Sequence, residues 1–217
     1  MSSCPGGRRS ALAPRAPTYP APPQTAAFTG CPSLNANVIR GSAAGGRITG
    51  TVGGDRIFGG PGNDVVDGLA GDDCIDLGPG TDSGKGGLGN DLLLGGLGKD
   101  RMAGSSGNDS LHGGSSADRM NGGMGKDNLH GQSGSDRISG SGGRDRINGG
   151  SSTDVISAGS SNDRVAGDQG DDRINGNSGN DALKGNSGND RITGSTGRDR
   201  ISAGAGKDRV NARRARR

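Results

Sequence analysis

One apolar side chain recurs every nine residues along most of the chain, at Ile39, Ile48, Ile57, Val66 and Ile75, then from Leu93 to Val210. The second run is Leu93, Met102, Leu111, Met120, Leu129, Ile138, Ile147, Ile156, Val165, Ile174, Leu183, Ile192, Ile201 and Val210. Gly84 is the one break, and it predicts a gap in the core beside Asp82. The period of nine fits neither a helix face nor a long alternating strand. It predicts instead a very short strand, x-apolar-x, whose central side chain points inward. The six glycine-rich residues before each triplet read as a turn, because glycine accepts positive φ. A period held this long means stacked units, each burying its apolar residue against its neighbours.

A second register runs beside the first. Two residues before each apolar position from Ile57 onward stands an aspartate, from Asp55 to Asp208 without a slip. All 23 acidic residues are Asp, and only Asp67, Asp72, Asp76, Asp168 and Asp171 fall outside the register. The full unit reads Gly-Gly-x-Gly-x-Asp-x-apolar-x at Gly59–Val66, Gly86–Leu93, Gly95–Met102 and Gly122–Leu129. In this unit the chain resembles the RTX, or hemolysin-type, calcium-binding nonapeptide repeat proteins. The resemblance implies an all-β fold, a right-handed parallel β-roll solenoid in which two nonapeptides make one 18-residue coil.

That coil sorts the aspartates into two columns. One holds Asp55, Asp73, Asp91, Asp109, Asp127, Asp145, Asp163, Asp181 and Asp199; the other holds Asp64, Asp82, Asp100, Asp118, Asp136, Asp154, Asp172, Asp190 and Asp208. Coils stacked about 4.8 Å apart bring like charges together, so a cation is expected in each gap. Ca²⁺ suits the donors, since it takes roughly six to eight oxygens and glycine-rich turns add backbone carbonyls. The carbonyls expected to join are those of Gly60, Gly62, Gly87, Gly89, Gly96, Gly98, Gly123 and Gly125. Eight gaps per column set a ceiling of about sixteen Ca²⁺. The competing reading is that each Asp only hydrogen-bonds a turn amide. Asn and Ser would serve that role too, yet neither occurs at a registered position. Tightest binding is expected where Asn or Asp precedes the ligand, at Asp64, Asp73, Asp91, Asp109, Asp163, Asp172, Asp181 and Asp190. Units with Ser116, Ser152 or Ser161 in place of the last turn glycine are expected to bind more weakly.

Composition changes the picture in two ways. With 48 glycines, 1% aromatics and no Trp, the chain would read as disordered but for its strict period. Metal-linked folding is therefore expected. The formal net charge of +3 is the second departure. Arginine follows the registered aspartate ten times, and next to an inward residue it should face solvent. Arg101, Arg119, Arg137, Arg173, Arg191 and Arg209 share one outer column, interrupted by Val155, and form a candidate anion stripe for a polysaccharide or cell surface. No specific nucleic-acid partner is expected.

His112 and His130 fall one coil apart, a coincidence of spacing rather than a second metal site. Cys4, Cys31 and Cys74 fit no zinc spacing; free thiols are the default expectation, with Cys31–Cys74 the one staple considered. The expected organisation is a Pro/Ala/Ser-rich leader (1–36), a cap coil (37–54) with Asn37 and Gly46 at the acidic positions, the calcium-binding roll (55–211) and a basic tail (212–217). No stretch is long enough for a transmembrane helix, and residues 1–31 lack the apolar run of a signal peptide. No enzyme is expected, because no Gly-x-Ser-x-Gly or His-Glu-x-x-His occurs and Glu is absent. The expected function is calcium binding by a stand-alone extracellular roll. The alternatives are the repeat portion of a larger secreted toxin or hydrolase, a surface adhesin, and an anion-binding scaffold.

Overall fold

The computed structural model describes Cys31 and residues 37–212. The rest of the expected leader and the tail from Arg213 lie outside the described residues. Within them there is no helix, and twenty β-strands follow one another. The first seven are β1 (Asn37–Arg40), β2 (Gly46–Thr49), β3 (Asp55–Phe58), β4 (Asp64–Ala70), β5 (Cys74–Pro79), β6 (Ser83–Leu88) and β7 (Leu92–Leu97). Next come β8 (Arg101–Ser106), β9 (Ser110–Ser115), β10 (Arg119–Met124), β11 (Asn128–Ser133), β12 (Arg137–Gly142), β13 (Arg146–Ser151) and β14 (Val155–Ser160). The last six are β15 (Arg164–Gln169), β16 (Arg173–Ser178), β17 (Ala182–Ser187), β18 (Arg191–Thr193), β19 (Arg200–Ala205) and β20 (Arg209–Asn211).

Odd-numbered strands form one ten-stranded sheet in chain order, here sheet A, and even-numbered strands form sheet B. All pairings are parallel, with Leu93 opposite Leu111 and Met102 opposite Met120. Each coil is thus two nonapeptides, and the chain is the all-β solenoid that the resemblance implied.

Most strands are six residues long, not three as the sequence reading expected. The second glycine of the unit has positive φ without ending the strand. Gly96 (φ 97°) lies within β7, and residues on both sides of it, Leu94 and Leu97, still pair with Asp76 and Pro79. A left-handed residue bends the strand while the ladder continues through it. Only three residues, such as Gly107 to Asp109, then separate β8 from β9. Asn177 and Asn186 take the same positive φ, as short amide side chains can.

The apolar register fills the space between the sheets. Its members are buried from Ile48 to Ile192, while Val210 is 49% exposed. The gap expected at Gly84 is not there. Leu77, in β5, occupies a position held by glycine in most units, and it is fully buried. Its Cδ2 stands 3.0 Å from where a Gly84 side chain would begin. The two departures from the repeat compensate each other across the coil.

Cys31 and Cys74 are disulfide-bonded, with Cα atoms 5.9 Å apart, which corrects the expectation of free thiols. Repeat spacing carries no information about where the segment before β1 lies, so the sequence left this pairing open. Cys4 lies outside the described residues. Near the bridge, the Arg40 guanidinium sits 4.5 Å over the Phe58 ring.

Candidate metal centre

Each registered aspartate stands at the corner where a turn enters a strand, so its side chain points into the roll. From Asp55 to Asp190 these side chains are at most 2% exposed. Asp199 and Asp208 are only half-buried. The columns inferred from the 18-residue coil are both present, one under sheet A and one under sheet B. From Asp73 to Asp208, Oδ1 of each registered aspartate accepts the backbone N–H of the aspartate 18 residues earlier; Asp73 takes that of Asp55 at 2.8 Å and Asp100 that of Asp82 at 2.8 Å, while both carboxylate oxygens of Asp64 are buried without a partner. The amide-capping role weighed for these residues is therefore real, but it runs between coils rather than within a turn.

That role uses only one oxygen. Among the described residues, Oδ2 of every registered aspartate from Asp64 to Asp190 is buried with no hydrogen-bond partner. A buried acceptor left unpaired costs about 1–3 kcal/mol, and more when it carries charge. A repeated deficit of this kind asks for a ligand.

The surroundings of Oδ2 explain the first glycine of the unit. Any side chain at Gly68 would collide with Asp73 Oδ2 and with the Gly86 carbonyl of the next coil. The same pair of oxygens, a carboxylate Oδ2 and a carbonyl one coil on, crowds Gly104, Gly113, Gly149 and Gly185. The carbonyls foreseen from the sequence lie elsewhere in the turn. Those of Gly60, Gly62, Gly89, Gly96 and Gly125 lie where a side chain would begin at Gly78, Gly80, Gly107, Gly114 and Gly143. Sequence reasoning missed the first-glycine carbonyls; the recurrence of glycine at that position in all but Leu77, Ala158 and Ala203 was the available signal.

Among the described residues no three His, Cys, Asp or Glu side chains converge as a metal cluster. A cation here would rely on one or two carboxylates completed by backbone carbonyls. That all-oxygen donor set fits a hard, flexible ion such as Ca²⁺ better than one needing nitrogen or sulfur.

Electrostatics point the same way. Burial pushes the carboxyls of Asp73, Asp91, Asp109, Asp118, Asp154 and Asp163 up to about 7, and neighbouring aspartates add to the rise. Burial also raises Asp100, Asp136, Asp145 and Asp172 to about 6. Asp64, Asp82, Asp127, Asp181 and Asp190 are raised by the same cause. In every case the backbone N–H opposes the shift without cancelling it. Without a cation the columns hold protons at pH values where free aspartate would be ionised.

Asp55 differs from the rest. The Thr51 amide donates to its Oδ2 at 2.6 Å, and the Thr51 hydroxyl reaches the same atom at 3.0 Å. Its carboxylate is satisfied by protein.

A second ladder escaped the sequence reading. Asn and Asp at the position before the registered aspartate accept amides from the following coil, as when Asn90 Oδ1 takes the Asn108 N–H at 2.8 Å. Asp72, Asn162 and Asp171 do likewise for Asn90, Asn180 and Asn189. Recurrence of Asn at this position was its signature.

The six arginines of the expected stripe are all exposed. His112 and His130 stack with ring centroids 5.0 Å apart, and burial lowers both imidazoles. Among the described residues no third His, Cys, Asp or Glu side chain joins them in a cluster.

A family model described as the RTX calcium-binding nonapeptide repeat, in four copies, matches residues 49–84, 77–111, 94–129, 122–156, 130–165, 148–183, 157–192 and 184–214. No curated protein matches the chain.

Proposed function

Because the chain belongs to the RTX calcium-binding nonapeptide repeat family, we propose that it is a non-catalytic calcium-binding roll whose order depends on the ion. The observation that carries this reading is the unbroken run of buried, unpartnered Oδ2 atoms from Asp64 to Asp190. Calcium between coils would cancel carboxylate charge that burial makes expensive. The registered aspartates supply the charge, and the carbonyls of Gly60, Gly62, Gly87, Gly89, Gly96, Gly98, Gly123 and Gly125, with those of the first glycines, supply the remaining oxygens. Capacity is at most about sixteen ions, one per gap. Asp55, already held by Thr51, binds last or not at all. Sites preceded by Asn or Asp bind tightest, because the second amide ladder stiffens their turns.

An ion-dependent fold orders where calcium is plentiful, so the protein acts outside the cell or on its surface, as family members typically do. The test is a calcium titration of the purified chain followed by far-UV circular dichroism and calorimetry. The expected result is little β signal in EDTA and a cooperative gain with heat of binding as calcium rises. An unchanged spectrum in EDTA together with no calcium uptake would overturn the reading.

A further inference from the structure

The two outer faces of the roll differ in regularity. On sheet B the residue after the aspartate is Val65 and Ser83 in β4 and β6, and from β8 onward Arg101, Arg119 and Arg137, then Val155, then Arg173, Arg191 and Arg209, each paired with its neighbour on the next strand. Rungs about 4.8 Å apart set these like charges side by side, an arrangement that destabilises a sheet. Among the described residues none of the six guanidinium groups has an ion pair or hydrogen bond to relieve it. The buried aspartates are out of reach, so acid lies inside and base outside.

Two residues further along each strand runs an uncharged rank that includes Asn121, Ser139, Ser157, Asn175 and Thr193. It is stitched to the rank beyond it: Ser141 Oγ donates to Asn121 at 2.8 Å, Asn177 to Ser157 at 2.6 Å and Ser195 to Asn175 at 2.9 Å. Sheet A has no such order. Its corresponding arginine rank is broken by Cys74, Leu92, Ser110, Asn128 and Ala182.

We propose that the outer face of sheet B, from β8 to β20, binds a linear acidic polysaccharide laid along the roll axis. Guanidinium groups grip carboxylate or sulfate through paired N–H donors. The neighbouring amide and hydroxyl rank offers partners to sugar hydroxyls, and a polymer with regularly spaced anions meets one rung after another. Single-stranded nucleic acid fits less well, since its bases seek aromatic platforms. Apart from histidine, the one aromatic side chain among the described residues is Phe58, on sheet A beneath Arg40. The inference rests on the calcium-ordered roll only in that the face must be ordered to act.

The test uses the full chain in calcium, with polygalacturonate, dextran sulfate, neutral dextran and oligo(dT) as probes in affinity electrophoresis. One variant combines Arg119→Ser, Arg137→Ser and Arg191→Ser; its charge-matched control combines Arg146→Ser, Arg164→Ser and Arg200→Ser on sheet A. The sheet B variant should weaken binding of an acidic polysaccharide by about tenfold or more, and the control by less than about twofold. Val155→Arg, which completes the ladder, should tighten binding. Equal losses from the two variants, no gain from Val155→Arg, equal binding of neutral dextran, stronger binding of oligo(dT), or no binding at all would each overturn the proposal. Circular dichroism of every variant with calcium and with EDTA reports separately on the calcium reading, so the two failures are distinguishable.

Discussion

The two ends of the roll close their aspartate columns by different means. At the N-terminal end a coil without registered acid lies over the first one: Asn37 pairs with Asp55 and Gly46 with Asp64. Thr51 takes up the Asp55 carboxylate, Ile48 is buried, and a disulfide ties Cys31 to Cys74. At the other end Asp199 and Asp208 are half-buried, β18 and β20 are three residues long, and Val210 is half exposed. The N-terminal end hands the last charge of the sheet A column to a hydroxyl but leaves Asp64, first in the sheet B column, buried and unpartnered; the other end opens both columns to water. A stack of like charges needs a donor or solvent where the next coil is missing, and Asp64, which has neither, is left the most dependent on a cation.

The contrast is sharpest against the middle of the array. Replacing Asp109 and Asp118 together by Ala should raise the calcium concentration needed for ordering by about tenfold or more and split the transition, because each coil leans on its neighbours. Replacing Asp199 and Asp208 together should shift it by less than about twofold. Calcium titrations of the two double variants by circular dichroism compare them directly.

Acidity acts on the interior in the absence of metal. Burial pushes the carboxyls of Asp100 and Asp109 up to about 6 and about 7 from the ordinary 3.8, so the stability they contribute is complete below the ordinary value and is lost as pH rises through the folded values. In EDTA the chain should gain β signal as pH falls from about 8 to about 4, whereas in calcium the same range should do little until protons displace the ion. An EDTA spectrum that loses structure on acidification would contradict this.

Smaller effects belong to the N-terminal end. Leu77→Ala should cost about 2–5 kcal/mol in chemical denaturation, since Gly84 leaves nothing to fill the void. The exchange of Leu77→Gly with Gly84→Ile restores the pattern of the other coils and should recover most of that loss. Cys31→Ser should cost about 2–4 kcal/mol while leaving calcium uptake intact, because the bridge closes a loop of 43 residues and supplies no oxygen ligand.

Much of this was legible because one period governs the chain. The apolar register gave the core, the acidic register gave the buried columns, and arginine beside an inward residue faced solvent as alternation requires. What escaped was whatever a single unit cannot show. Strand length depended on a positive-φ residue that bends a strand without ending it. Leu77 and Gly84 make sense only as a pair on opposite sheets. The disulfide depended on a segment outside the repeat, and the first-glycine carbonyls approach Oδ2 only when coils are stacked.

Register between coils has one more consequence. Equivalent positions in neighbouring coils stand 18 residues apart, so the molecule has a natural quantum of length. Inserting or deleting two units would splice like onto like and leave both faces unbroken. A change of one unit would keep every aspartate in a column yet swap front for back beyond the splice, cutting the arginine face in two. Gene duplication could lengthen such a protein freely, but only in even steps if that face matters.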